Sequence, residues 1–134
     1  MRVVLDTNVF ISGVFFGGVP GRILEAWRDG VLALLVSPPI LGEYHRVGRL
    51  LAVRHEGVDL EPVLALVAAR GEVVDAPDLP EQISPDADDD KFLACALGGD
   101  ARVVVSGDKG LRSASGWRGI EVLTPREFVD LYLK

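Results

Sequence analysis

Short apolar runs and amphipathic segments alternate along the whole chain. The apolar runs are rich in Val, Leu and Ile, as expected of strands that are buried on both faces of a parallel sheet. They lie at residues 2–6, 34–36, 72–74, 102–106 and 120–123. The pattern therefore predicts five short strands.

Between these runs, apolar residues recur every three or four positions, which indicates helices with one buried face. Helices are predicted from Pro20 to Gly30, after Ser37, after Asp59, from Asp88 to Leu97 and after Thr124. The stretch 10–18 is apolar and contains glycines, and the proline-rich stretch 76–85 is expected to be a surface connection. The predicted fold class is thus α/β, with a mostly parallel sheet and helices on both faces.

Length and composition fit one folded domain, which we expect to span residues 1–134. Of these residues 49% are hydrophobic and 25% are charged, as is typical of globular proteins. No apolar run approaches the roughly 20 residues of a membrane helix, and the first residues predict a strand rather than a secretory signal. The single Cys95 fits a reducing compartment, so we expect a cytoplasmic protein.

The net charge of −6 argues against a protein that coats duplex DNA through bulk positive charge. The overall charge does not exclude an RNA substrate, however. If several acids are gathered in one place, the remaining surface is nearly neutral and can present a basic rim to nucleic acid.

Four acidic residues are predicted to reach one pole of this fold. Asp6 and Asp108 follow predicted strands, Glu43 lies beside the apolar stripe of a helix, and Asp90 lies in the first turn of another. Ligands of open α/β sheets bind beyond the carboxyl ends of the strands, where Asp6 and Asp108 fall. Gathered carboxylates repel one another unless a cation neutralises them, which points to a site for Mg²⁺ or Mn²⁺. Metal-assisted phosphodiester cleavage is therefore the leading hypothesis.

Each of these acids, taken alone, also fits a structural role. Asp6 and Asp108 suit turns, and the run from Asp86 to Asp90 suits helix capping and a solvated face. The metal hypothesis depends on their joint placement.

Other functional classes leave weaker signals. A phosphoacceptor signalling domain would need an acidic pair after the first strand, and a haloacid-dehalogenase-type phosphatase would need Asp-x-Asp where this chain has Asp6-Thr7-Asn8. No segment supplies the phosphate-binding loop of a nucleotide-binding protein. A metal-binding interaction module without catalytic activity stays open as an alternative.

Four motifs together resemble the PIN domain family, specifically its VapC-like toxin components of toxin–antitoxin systems. They are VVLDTNVFISG at the start, the helix that carries Glu43, DDDKFLACA and VVVSGDKGL. The resemblance covers essentially the whole chain. It implies a Rossmann-like α/β/α three-layer sandwich and a metal-dependent endoribonuclease, with a cognate antitoxin as partner and a homodimer as the expected assembly.

The resemblance also implies roles for individual residues. Asp6, Glu43, Asp90 and Asp108 are carried over as the catalytic and metal-binding acids, with Asp89 as substitute for Asp90 or as a further ligand. The polar positions that orient these carboxylates match Thr7, Asn8 and Ser106.

Basic residues near the acids are candidates for contact with single-stranded or structured RNA. They are Arg46, Arg49, Lys91 and Lys109. Such residues can guide a phosphate backbone, although solvated helix faces are the default explanation for them.

Overall fold

The computed structural model describes residues 1–133, which form a five-stranded sheet between two layers of helices. All strand pairs are parallel, and the order across the sheet is β3-β2-β1-β4-β5. The strands are β1 Arg2–Leu5, β2 Ala33–Val36, β3 Glu72–Val73, β4 Val103–Val105 and β5 Glu121–Leu123. The α/β class and the Rossmann-like three-layer architecture are confirmed.

The described residues contain seven α-helices, most of which connect successive strands. They are α1 Thr7–Phe16, α2 Gly18–Arg28, α3 Pro38–Ala52, α4 Glu61–Arg70, α5 Asp90–Gly98, α6 Lys109–Arg112 and α7 Pro125–Tyr132. Short 3-10 turns cover Ala87–Asp89 and Trp117–Gly119. No single helix in residues 1–133 is long and apolar enough to cross a membrane, and α1 and α2, which reach that length and composition only together, are bent by 94°.

The core lies on both sides of the central strands. In β1 the residues Val3, Val4 and Leu5 are fully buried, and the three valines of β4 beside them are equally inaccessible. This burial on both faces explains why the strands read as unbroken apolar runs rather than as alternating patterns. The chain leaves β1 toward β2 on one side and returns to β4 on the other, so the order of the strands reverses at the β1–β4 boundary.

Two predicted boundaries needed correction. Helix α1 begins at Thr7, directly after β1, where we expected a loop and an unassigned apolar stretch. The helix predicted from Asp88 begins as a 3-10 turn and becomes α-helical at Asp90. The second difference decides which acids of this segment face the functional site.

Candidate active site at the β1–β4 switch point

Asp6 lies at the carboxyl end of β1 and caps helix α1. Its backbone amide donates to the Val105 carbonyl of β4 at 3.0 Å, and its Oδ1 atom accepts the Val9 amide at 2.9 Å. The side chain is only 5% exposed. The structural role expected of an Asp in this turn is therefore real, yet it fixes the carboxylate at the point where ligands of such sheets bind.

A single hydroxyl group connects the ends of β1 and β4. Ser106, fully buried after β4, donates its Oγ hydrogen to Asp6 Oδ2 and accepts the amide of Asp108 at 3.0 Å. Asp108 in turn caps α6, since its Oδ2 accepts the Leu111 amide at 2.9 Å. The predicted supporting role of Ser106 thus has a geometric basis, because it couples the two acids that follow the strands.

Helix α3 carries Glu43 to the same place. The next residue, Tyr44, is fully buried, donates its hydroxyl to the Leu5 carbonyl at 2.5 Å and stacks on Phe10 with ring centroids 4.1 Å apart. Thr7 donates to Glu43 Oε1 at 2.5 Å. Glu43 is therefore oriented from β1 and α1, and Thr7 has the supporting position expected of it.

The other oxygen of Glu43 contacts two cations. Lys91 Nζ lies 2.6 Å from Glu43 Oε2, and an Arg46 nitrogen lies 3.8 Å from the same atom. Lys91 is largely buried, whereas the Arg46 side chain is 65% exposed. Arg46 is thus free to reach a ligand in the cleft, and Lys91 is already engaged.

In the third segment, Asp89 lines the cleft and Asp90 does not. The Asp90 carboxylate is turned away and accepts the amides of Ile83 and Ser84 at 2.9 and 2.8 Å, together with the Ser84 hydroxyl. Asp89 lines the cleft with Asp6 and the other acids. The 3-10 turn thus places Asp89 in the cleft and leaves Asp90 to hold the preceding loop, whereas the catalytic role of either acid stays a prediction.

These residues line an open cleft of about 280 Å³. Its acids come from four separate chain segments and are Asp6, Glu43, Asp86, Asp88, Asp89 and Asp108. Asp86 and Asp88 had been assigned only to capping, and their contribution to the cleft was missed. The acidic run from residue 86 to 90 was the available signal, but it did not show which side chains turn inward.

The crowding of carboxylates alters their protonation. Burial raises the pKa of Asp6, against the hydrogen bonds from Ser106 and Val9, and the charges of Asp108 and Glu43 raise it further. The pKa of Asp89 is raised to about 6 by burial and by the neighbouring charges of Asp108 and Asp86. The surroundings therefore destabilise the ionised form of both carboxylates, and a bound cation would stabilise that form.

Comparison with known proteins identifies the family to which this arrangement belongs. The model of the PIN domain family matches residues 2–110. This protein is a member of the PIN domain family. An uncharacterized protein of Methanocaldococcus jannaschii is 30% identical over the full length of this chain and 93% of its own. The crystal structure of FitAcB from Neisseria gonorrhoeae is 25% identical with a TM-score of 0.54, over 92% of this chain and 98% of that one.

Membership of the PIN family makes a divalent metal relevant to the cleft, since PIN domains are generally nucleases that usually use such ions. The donor set fits, because carboxylates and hydroxyls are the hard oxygen ligands that Mg²⁺ and Mn²⁺ prefer. Within residues 1–133, however, no three acidic, His or Cys side chains already converge as ligands of one ion. Glu43, tied to Lys91 and Thr7, is one reason for this.

Three residues that the sequence analysis assigned to the functional site lie outside the cleft or lack the expected contact. Arg49 pairs with Glu61 at 3.7 Å on the exposed side of α3, and Lys109 is exposed at the start of α6. Asn8 lines the cleft, but within the described residues no hydrogen bond joins its side chain to a carboxylate. Arg46 is thus the candidate phosphate contact that the geometry favours.

Proposed function

We propose that this PIN domain is an endoribonuclease that depends on Mg²⁺ or Mn²⁺ and acts as the VapC-like toxin of a toxin–antitoxin pair. The observation that carries the proposal is the convergence of Asp6, Glu43, Asp89 and Asp108, each from a different segment, on one cleft at the carboxyl edge of the sheet. Family membership supports the nuclease class.

In this proposal Asp6, Glu43, Asp89 and Asp108 hold the ion. The chemistry that Mg²⁺ or Mn²⁺ supplies when bound is activation of water and neutralisation of phosphate charge. Ser106 fixes the position of the Asp6 carboxylate relative to the Asp108 backbone through its two hydrogen bonds.

Burial and the neighbouring charges of Asp108 and Asp86 raise the pKa of Asp89 to about 6. A divalent ion bound to Asp89 would favour its ionised form, so the ion is expected to bind more weakly below about pH 6. Arg46, exposed at the rim beside Glu43, is placed to contact a phosphate of the RNA.

The partners follow from the resemblance of the motifs, and the compartment follows from the single Cys95, rather than from the cleft. We infer a cytoplasmic protein that forms a homodimer and is neutralised by a small antitoxin. The acidic cleft favours an antitoxin that inserts a basic side chain, since such a group would compensate the gathered carboxylates.

Incubation of the protein with end-labelled single-stranded and hairpin RNA tests the proposal. Cleavage is expected in Mn²⁺ or Mg²⁺ and should be lost in EDTA and in Asp6→Asn. Asp130→Asn, which makes the same charge change at an exposed position on α7, is the matched control and should cleave like the wild type.

Equal behaviour of Asp6→Asn and the wild type, with both proteins folded, would contradict catalysis at this cleft. In that case metal binding without cleavage would favour the non-catalytic interaction module. Family membership leaves no support for the phosphoacceptor alternative.

A further inference from the structure

We propose that Lys91 is a built-in counter-ion of Glu43, beside the cleft, and competes with a divalent cation for that carboxylate. The inference rests on metal binding by the cleft, as proposed above. It replaces the expectation that Lys91 contacts RNA.

The ammonium group of Lys91 has no donor left for a phosphate. Its Nζ lies 2.6 Å from Glu43 Oε2, 2.8 Å from Asp88 Oδ2 and 2.9 Å from the Asp88 carbonyl oxygen. These contacts match its three hydrogen atoms, and the side chain is only 13% exposed. Its role is therefore directed inward, to the acids of the cleft.

Both oxygens of Glu43 are occupied in this arrangement. Thr7 donates to Oε1 and Lys91 to Oε2. A divalent ion at Glu43 Oε2 would lie next to the Lys91 ammonium group, and the repulsion between the two charges favours displacement of Lys91 when the ion binds. The Lys91 ammonium group and a divalent metal ion thus compete for the Glu43 carboxylate.

The position of Lys91 is fixed by its neighbours in sequence. Asp90 anchors the start of α5 to the loop at Ser84, and Asp88, three residues before Lys91, holds the ammonium from the exposed side. Lys109 offers a contrast, since it is exposed beside Asp108 and makes no ion pair within the described residues. Proximity to the acids alone does not produce the contact seen for Lys91.

The charge balance gives the expected direction of the effect. Six carboxylates line the cleft, and within residues 1–133 only Arg46 and Lys91 place a positive charge inside 4 Å of Glu43. Removal of the Lys91 charge leaves Glu43 free and the cleft more negative. The ion-free protein should then be less stable, and a divalent ion should bind more tightly.

Calorimetric titration of the RNA-free protein with Mn²⁺ measures this competition. Lys91→Met should lower the Kd for Mn²⁺ by about tenfold or more, whereas Lys91→Arg should stay within about twofold of the wild type. Lys109→Met removes the same charge without a contact to Glu43 and should have the smaller effect. In a Glu43→Gln background, the Lys91→Met change should lose most of its influence on the Kd.

Chemical acetylation followed by mass spectrometry tests displacement in the unaltered protein, and it does not require Lys91→Met to fold. Labelling of Lys91 should be slow without metal and should rise several-fold in saturating Mn²⁺. Labelling of Lys109 provides the internal reference and should not rise with it.

A Kd for Mn²⁺ that is the same in Lys91→Met and the wild type would overturn the counter-ion proposal, as would Lys91 labelling that Mn²⁺ leaves unchanged. Neither result tests RNA cleavage, so the nuclease proposal would stand. Absence of Mn²⁺ binding in both proteins would overturn the counter-ion and the metal dependence together. Loss of RNA cleavage with these Kd differences intact would overturn only the nuclease.

Discussion

Substitution of the adjacent residues Asp89 and Asp90 should separate function from stability. Asp90→Asn weakens three hydrogen bonds that hold Ile83 and Ser84. A bond to a charged acceptor contributes about 1.5–3 kcal/mol, and Asn keeps one acceptor oxygen at a half-exposed position, so we expect a net loss of about 2 kcal/mol. For a chain of this length that corresponds to a fall in Tm of roughly 6 °C. Mn²⁺ binding and RNA cleavage should persist.

Asp89→Asn should act in the opposite direction. The pKa of Asp89 is raised to about 6 in the folded protein, so the folded state binds more protons than the unfolded chain between about pH 4 and pH 6. The stability of the wild type therefore falls as the pH rises through that window. The shift corresponds to about 3 kcal/mol before solvent screening and to about 1 kcal/mol at this half-exposed position. At pH 7 Asp89→Asn should gain that amount and lose Mn²⁺ affinity and cleavage.

Urea denaturation of both variants at pH 7, at pH 4 and at about pH 3, with Mn²⁺ titration and RNA cleavage at pH 7 and 25 °C, checks these expectations. The pKa of Asp90 is lowered by its hydrogen bonds to Ser84 and Ile83, although burial opposes them, so its contribution to stability is present above about pH 4 and lost below. The deficit of Asp90→Asn should shrink in that acidic range. Full cleavage by Asp89→Asn, or loss of cleavage by a folded Asp90→Asn, would refute the assignment of Asp89 to the cleft.

Three further substitutions or measurements test the scaffold around the site. Thr124→Ala breaks the reciprocal capping of α7, in which Thr124 and Glu127 each accept the other's amide, and should cost about 1 kcal/mol in urea denaturation. Tyr44→Phe removes the hydrogen bond to the Leu5 carbonyl and should cost about 1 kcal/mol by the same method, with a further loss of Mn²⁺ affinity as α3 loosens. Burial raises the pKa of the Cys95 thiol to about 12, so a thiol-specific reagent at pH 8 should modify Cys95 only after unfolding, and rapid modification of the native protein would contradict its burial.

The sequence predicted the sheet well because its strands are buried on both faces. β1 and β4 appear in the sequence as nearly continuous apolar runs, and both segments are strands in the structure. Burial on more than one face also explains why helix α1 was missed. Its residues Val9, Phe10 and Ile11 are consecutive and all buried, so no polar face marks the helical period. The capping signal at Asp6 was present, but it was interpreted as the polar end of a strand.

The cleft could be predicted only in part. Asp6 and Asp108 follow strands directly, so the topology of a parallel sheet brings them together whatever the details of the loops. The choice between Asp89 and Asp90 required the structure, because neighbouring helical side chains point about 100° apart and the turn changes from 3-10 to α at Asp90. The contact of Lys91 with Glu43 joins two helices that are far apart in sequence, so no local sequence pattern predicts it.

The acidic run before α5 shows why structural and functional explanations of a charge cluster need not compete. Asp86 caps the 3-10 turn, Asp88 holds Lys91, and Asp90 anchors the preceding loop. Each of these contacts stabilises an ionised carboxylate with a hydrogen-bond donor or a cation. Together they fix the backbone that carries Asp89, whose pKa is raised to about 6 by burial and by the charges of Asp108 and Asp86, against the charge of Lys91. The acids with structural contacts therefore position an acid whose ionised form is disfavoured by burial, and a cation in the cleft would stabilise that form.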